Sequence, residues 1–160
     1  MKSLLTLLMA FLLLGSPIVR AQGTAIPLPK AIDEIRRHLS EKKPEWKHRL
    51  ITPITESAEA SASNWEYGSR VVRVTVFSPS ITRGEMARAI REFAAKEGAL
   101  RLEGIGDEGY ADGAGGSSVV FMLGNLTIAI GTNMPDPLEA KKLSHEFARI
   151  ISDALRNAAT

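Results

Sequence analysis

The sequence contains no cysteine, and this absence excludes several kinds of protein at once. A chain without cysteine has no disulfide scaffold, no thiolate metal site and no cysteine nucleophile. Its 160 residues do not need such crosslinks, because a domain of this length buries a workable hydrophobic core by itself. The sequence therefore predicts a fold held together by packing and hydrogen bonds.

Histidine is scarce as well, and the three histidines do not indicate a metal centre. His38 lies on the flank of a predicted helix, His48 in a charged loop and His145 on the polar side of the last predicted helix. None of them stands at the spacing of a zinc site. The Gly-x-Ser-x-Gly sequence of the α/β-hydrolases is absent, and Gly115-Gly116 lacks the Lys-Ser/Thr of a phosphate loop. We predict neither a metal ion nor a cofactor.

The start of the chain has the pattern of an export signal. Lys2 is followed by an apolar run from Leu4 to Leu14, too short to span a bilayer, and small residues at Val19 and Ala21 fit a cleavage site. We predict a signal peptide over residues 1–21 and one mature domain over residues 22–160. The mature domain is expected in the periplasm or outside the cell, without a transmembrane segment.

Charge of either sign is balanced in the predicted mature chain. The whole sequence has 20 Lys and Arg against 18 Asp and Glu, but Lys2 and Arg20 lie in the signal and their removal leaves 18 of each sign. Nucleic-acid binding needs a concentrated basic face, so nucleic acid is not an expected partner. Basic residues do cluster between Arg36 and Arg49, interrupted by two glutamates. This cluster is typical of a solvated helix end, and contact with anionic envelope polymers or lipid headgroups is the alternative.

Three helices are predicted from periodicity and capping signatures. Apolar residues at helical spacing predict the first helix over residues 30–43. Thr82-Arg83-Gly84-Glu85 is a capping box that opens the second, which ends at Gly98. Asp136-Pro137 opens the third, the longest. Its polar side is predicted to hold His145, Arg149, Ser152 and Arg156.

The remaining segments predict strands. Alternating valines indicate a strand over residues 70–78, and Gly124-Asn125 between apolar runs indicates a hairpin of residues 118–123 and 126–131. Residues 46–63 have no clear period; they are compatible with a strand at 50–55 and another before Trp65. No βαβ repetition is present, so the predicted class is α+β, an antiparallel sheet of about four strands with helices packed against it.

A glycine-rich loop at Gly104–Gly113 carries the most unusual chemistry. Its sequence is Gly-Ile-Gly-Asp-Glu-Gly-Tyr-Ala-Asp-Gly. Glycines allow sharp turns and close approach of the backbone, so Asp107, Glu108, Tyr110 and Asp112 become candidate ligand-binding residues. In the alternative interpretation, Asp107 caps backbone amides of a turn and Tyr110 begins a strand with its ring in the core.

The same region resembles a pattern found in small secreted bacterial proteins of uncharacterised function. In those proteins a Gly-Leu-Gly-Asp-Glu-Ala-Tyr loop precedes a strand, a Gly-Asn turn, a second strand and a C-terminal helix. Here the matching residues are Gly104 to Tyr110, Val119-Val120-Phe121 and Gly124-Asn125-Leu126, with Gly109 in the place of Ala. The resemblance covers roughly residues 104–155. It implies an exported α+β domain and supplies no catalytic residues.

No arrangement of nucleophile, base and orienting group is evident, so the sequence favours a binding protein over an enzyme. We predict an exported, non-enzymatic domain that binds a small ligand or a protein partner in the cell envelope through the loop at Gly104–Gly113. The alternative is a hydrolase of envelope polymers that uses Asp107 or Glu108 as acid or base with help from Tyr110. A third hypothesis is adhesion to an anionic surface through Trp46 and the neighbouring lysines.

Overall fold

A computed structural model describes residues 25–51, 59–78, 83–95, 98–112 and 117–159. In these residues it shows three helices, α1 (Leu28–Lys42), α2 (Arg83–Ala94) and α3 (Pro137–Ala158). The strands are β1 (Lys47–Leu50), β2 (Ala60–Tyr67), β3 (Arg70–Phe77), β4 (Leu100–Arg101), β5 (Glu108–Ala111), β6 (Ser118–Leu123) and β7 (Leu126–Asn133). The predicted signal peptide, Thr82 of the predicted capping box and residues 113–116 of the glycine-rich region lie outside the described residues. No helix in these ranges has the length and hydropathy needed to cross a membrane.

The strands form one sheet in the order β1-β2-β3-β7-β6-β5-β4, with every neighbouring pair antiparallel. Hairpins build each half, and β3 pairs with β7 at the centre, where Val71 lies opposite Asn133 and Phe77 opposite Thr127. The short strands β1 and β4 form the two edges. The α+β class with an antiparallel sheet is confirmed, and the predicted number of about four strands is wrong, because the sheet has seven.

The undercount has a physical cause in the strands themselves. β1 has four residues and β4 two, while β5 lies inside the glycine-rich stretch. β2 reads Ala-Ser-Ala-Ser-Asn-Trp-Glu-Tyr, and small polar residues have little preference for strands. It is a strand because β1 and β3 pair with it on both sides. The strand predicted over residues 50–55 shares Leu50 with β1, and residues 52–55 lie outside the described residues.

Helices α1 and α3 cover one face of the sheet, which we call the helical face. Val72, Val74 and Val76 of β3 point to this face and are at most 2% exposed, as their alternation predicted. Trp65 of β2 is fully buried there, and its ring meets the Phe147 ring of α3 edge-on at 6.4 Å. The main core therefore lies between this face and the two helices.

The opposite side of the sheet, which we call the open face, carries the side chains of β3 that alternate with these valines. Arg73, Thr75 and Phe77 of β3 lie in register with Gly131, Ala129 and Thr127 of β7. Helix α2 lies over part of this face, and its Ile90 is only 2% exposed.

Helix α3 begins where its signature predicts. The Asp136 side chain accepts hydrogen bonds from the N–H groups of Leu138 at 2.8 Å and Glu139 at 3.4 Å, and Pro137 is the first helical residue. Such a cap satisfies amides that have no partner within the helix. The Glu139 carboxylate also forms a 2.6 Å salt bridge with Arg70 of β3, so the start of α3 is fixed to the sheet.

Two residues of α3 that were predicted on its polar side are not exposed. His145 is half-buried, and its Nε2 atom is buried. Ser152, predicted on the polar side, is fully buried, whereas Arg149 and Arg156 are exposed as predicted. The reason is that small residues such as Ala148 and Ser144 let the helix sink into the protein beyond its broad apolar stripe. The buried side of α3 is therefore wider than the positions of its large apolar residues indicate.

Candidate ligand-binding site

Asp107 connects the glycine-rich loop to the turn between β6 and β7. Its carboxylate Oδ2 accepts a hydrogen bond from the Gly124 N–H at 2.7 Å. Its own N–H donates to the Met122 carbonyl at 2.7 Å. Gly124 has a φ of 58°, the left-handed region that a tight hairpin turn requires. The carboxylate thus makes the type of contact that the capping interpretation predicts.

Gly106 is held from the side of α3. Its N–H donates to Ser152 Oγ at 2.9 Å, and its carbonyl accepts from Arg156 Nη2 at 2.6 Å. Its φ is 62°, and a Cβ at this position would overlap the Met122 carbonyl oxygen. The burial of Ser152 is explained by this contact, because a buried amide needs an acceptor.

Gly109 of β5 packs closely against the loop and the core. A Cβ on Gly109 would lie 2.9 Å from the Ile105 carbonyl oxygen and 3.1 Å from Phe121 Cβ. Phe121 is fully buried in the core. Glycine at this position therefore allows a close approach of the loop to the sheet.

Glu108 and Tyr110 belong to β5 and project on the open face. The Tyr110 hydroxyl donates to Glu108 Oε1 at 2.8 Å, and both residues are half-buried. This hydrogen bond, together with burial, raises the pKa of the Tyr110 hydroxyl. The ring does not lie in the main core, because Gly109 and Ala111 hold the core-facing positions of the strand.

The structure brings together only part of the predicted loop site. Glu108 and Tyr110 are in contact, Asp107 is directed to Gly124, and Asp112 follows β5 about 13 Å further along the strand from Glu108. A polar hollow of about 380 Å³ is lined by residues 101–108. Across the described ranges, no three Asp, Glu or His side chains converge as metal ligands.

Two residues of the basic cluster, Trp46 and His48, pack against aromatic side chains and are not exposed. Trp46 is 6% exposed, and its ring lies 5.3 Å from that of Phe147. The His48 ring lies 4.9 Å from Trp65, and burial, with a contribution from Arg36, lowers the pKa of His48. The adhesion hypothesis required Trp46 at the surface, so this finding argues against it.

A cleft of about 430 Å³ lies between α2 and the open face of the sheet. Its lining is mainly apolar. The residues that line it are Arg73, Thr75 and Phe77 of β3, Ile90 and Phe93 of α2, Ser118, Val119 and Val120 of β6, and Ala129, Ile130 and Gly131 of β7. Its existence follows from small residues in the floor, since Ala129 and Gly131 leave space beneath the helix. A Cβ built on Gly131 meets no atom within 4 Å.

Among the described residues that line the cleft, Arg73 is the only charged one. It is exposed, and its Nε donates to Asn64 Oδ1 at 3.2 Å. Among the residues that the structure describes, no carboxylate forms a salt bridge with it. The cleft therefore combines apolar walls with a single cation at its rim.

The cleft has only a partial signal in the sequence. The alternation of β3 places Arg73, Thr75 and Phe77 on one face, and the hairpin is apolar on both of its faces. No local pattern indicates where α2 lies on that face. Comparison of the chain with protein-family models, with curated proteins and with solved structures gave no match.

Proposed function

We propose that the chain is an exported, non-enzymatic domain of the cell envelope that binds a small ligand in the cleft between α2 and the open face. The observation that carries the proposal is the 430 Å³ of space with mainly apolar walls. Ligand sites are typically concave and apolar, with a few polar groups and volumes of about 300–1,000 Å³. Arg73, Thr75 and Ser118 supply the polar groups here.

The contacts of the glycine-rich loop favour the cleft over the loop as the binding site. Asp107 and Gly106 are bonded to Gly124, Ser152 and Arg156 within the protein. A ligand that used these groups would have to replace those bonds. Glu108 and Tyr110 remain candidate contacts, because they lie on the open face beside the hairpin.

The binding proposal is tested with Nile red, an uncharged dye whose fluorescence increases in apolar surroundings. We expect saturable binding of one dye per chain by the purified protein. The variant Gly131→Leu should weaken it at least about tenfold, because the new side chain enters the open space of the cleft. Gly131 is suitable because its φ is not in the left-handed region, so leucine introduces no backbone strain.

The matched control is Asn133→Leu, which adds the same side chain to an exposed position of the same strand outside the cleft lining. It should bind Nile red like the wild type. Absence of saturable binding by the wild type, or equal binding by Gly131→Leu, would overturn the proposal. Far-UV circular dichroism of each variant verifies that the fold is retained.

Export is tested by a separate experiment. The full chain is expressed in a secreting bacterial host, and the N-terminus of the product outside the cytoplasm is determined by mass spectrometry. The expected first residue is Gln22, because cleavage after Ala21 removes the apolar run. Retention of the uncleaved chain in the cytoplasm would contradict the proposed location.

A hydrolase of envelope polymers is the second candidate, favoured by the 2.8 Å hydrogen bond between Tyr110 and Glu108 near the polar hollow. A carboxylate with a phenol partner is a plausible acid and base pair. The test is release of soluble fragments from purified peptidoglycan. Release that is lost in Glu108→Gln supports this candidate, and no release by the wild type excludes it for that polymer.

A further inference from the structure

We infer that the cleft selects a single-chain amphiphile with one carboxylate head, and that Arg73 binds the head. This inference rests on the proposed use of the cleft as a ligand site. It adds the chemical class of the ligand, which follows from the arrangement of polar and apolar groups along the cleft.

The strand register places polar residues at one end of the cleft and apolar residues at the other. Arg73 of β3, Gly131 of β7 and Ser118 of β6 lie side by side in one row across the sheet. In an antiparallel sheet, residues two positions along a strand lie about 7 Å away, on the same face. The next row, starting at Thr75, continues with Ala129 and Val120. Polarity therefore decreases along the cleft, from the Arg73 row towards Phe77.

The polar row has a gap at its centre. Arg73 and Ser118 stand on strands that flank β7, so their backbones are about 10 Å apart. Gly131 lies between them, and no atom lies within 4 Å of the position that a Cβ on Gly131 would take. A group of the size of a carboxylate fits into this gap, above β7 and between the strands that carry Arg73 and Ser118.

Part of the Arg73 guanidinium remains available for a bidentate partner. Its Nε donates to the Oδ1 of Asn64, a residue that is only 5% exposed and therefore a fixed support. With Nε engaged, the two terminal nitrogens carry the remaining N–H donors of the guanidinium. Their parallel N–H groups match the two oxygens of a carboxylate.

The charges around the cleft favour a monoanion. None of the described residues that line the cleft is a carboxylate, so a cationic ligand finds no partner among them. Arg49, another cation on the open face, already has a partner, since it contacts Glu66 at 3.1 Å. One unpaired cation in the lining is neutralised by one negative charge.

The apolar end provides the site for the ligand tail. Phe77, Ile90, Phe93 and Val120 form walls without charge. The 430 Å³ of the cleft lies within the range of small-molecule sites, so it has space for the aliphatic tail of a single-chain amphiphile.

The experiment measures displacement of Nile red from the purified protein by four amphiphiles that share one chain: tetradecanoate, tetradecanol, tetradecyl phosphate and tetradecyltrimethylammonium. All are used below the concentration at which they form micelles. Tetradecanoate should bind at least about tenfold more tightly than the alcohol, because it gains a charge-assisted bidentate contact. The ammonium compound should displace the dye most weakly.

The variant Arg73→Gln should remove the preference for tetradecanoate over tetradecanol while leaving alcohol binding unchanged. The matched control Arg49→Gln removes the same charge from the open face outside the cleft lining and should keep the preference. Equal affinity for acid and alcohol, a preference that survives in Arg73→Gln, or tighter binding of the phosphate overturns the inference. These outcomes leave the proposed function standing if Nile red binding still depends on Gly131, whereas loss of that dependence defeats the proposed function itself.

Discussion

At the scale of single residues, the Asp107 carboxylate should stabilise the turn between β6 and β7. Its 2.7 Å hydrogen bond satisfies the Gly124 N–H in the turn between β6 and β7. Asp107→Ala leaves that amide to water and should lower the free energy of unfolding by about 1 kcal/mol. Urea denaturation measures the change.

The control for Asp107 is Glu103→Ala, an exposed carboxylate in the same hollow. It should change the unfolding free energy by less than about 0.5 kcal/mol, as most surface substitutions do. If Asp107→Ala changes the unfolding free energy equally little, the carboxylate does not stabilise the turn, and Asp107 is again a candidate ligand contact.

Two glycines of the same loop should respond very differently to alanine. Gly106→Ala places a Cβ against the Met122 carbonyl and 2.7 Å from Phe121 Cδ2, in addition to the strain of a φ of 62°. We expect a loss of about 3 kcal/mol or more. Gly104→Ala has a φ of 74° and no atom within 4 Å, so only the strain of about 1 kcal/mol applies. Equal losses in denaturant unfolding would contradict this account.

At the scale of elements, α3 makes stability depend on pH. The Nε2 of His145 is buried and has no hydrogen-bond partner among the described residues. Burial lowers the pKa of His145, and the nearby Lys141 and Arg149 lower it further. The folded state therefore binds this proton less readily than the unfolded chain, so protonation favours unfolding. The contribution of neutral His145 to the free energy of unfolding is fully present above about pH 6.5, and it is lost as the pH falls towards the lowered pKa.

The expected observation is a fall in melting temperature between about pH 7.5 and 5.5 that is smaller in His145→Leu than in the wild type. His48→Leu tests the same effect independently, because burial also lowers the pKa of His48. Parallel pH profiles of the wild type and both variants would show that neither imidazole controls the dependence.

Elements with complete local signals could be predicted from the sequence. β3 alternates strictly, the β6–β7 hairpin has Gly124-Asn125 at its turn, and α3 has its cap at Asp136. For β2 the sequence was only compatible with a strand before Trp65, because its strand state comes from pairing with β1 and β3. The burial of Ser152 was not predicted for a related reason. Its hydrogen-bond partner, the Gly106 amide, is 46 positions away in the sequence.

At the scale of the whole molecule, the cleft could not be predicted because it is a product of distant segments. Arg73 and Gly131 are neighbours only through the pairing of β3 with β7, and the roof comes from α2. The exported, ligand-binding role that the sequence suggested remains a prediction. Its proposed site has moved from the glycine-rich loop to the cleft.

The central pairing also predicts slow folding. Partners in β3 and β7 are separated by 50 to 62 positions, and α1 contacts α3 across a longer stretch of chain. Long-range contacts require the closure of large loops before they stabilise the fold. Stopped-flow refolding followed by the fluorescence of the buried Trp46 and Trp65 should give a main phase of roughly milliseconds to seconds. A microsecond phase with the full amplitude would contradict this.

The two short edge strands have a consequence for colloidal behaviour. A sheet edge offers unpaired backbone groups to other molecules, and long edges promote polymerisation. The proposed mature chain has no net charge, so electrostatic repulsion does not keep its molecules apart. The edges are short, however, because β4 has two residues and β1 has four, including Lys47 and Arg49. They therefore offer few backbone groups to a second molecule.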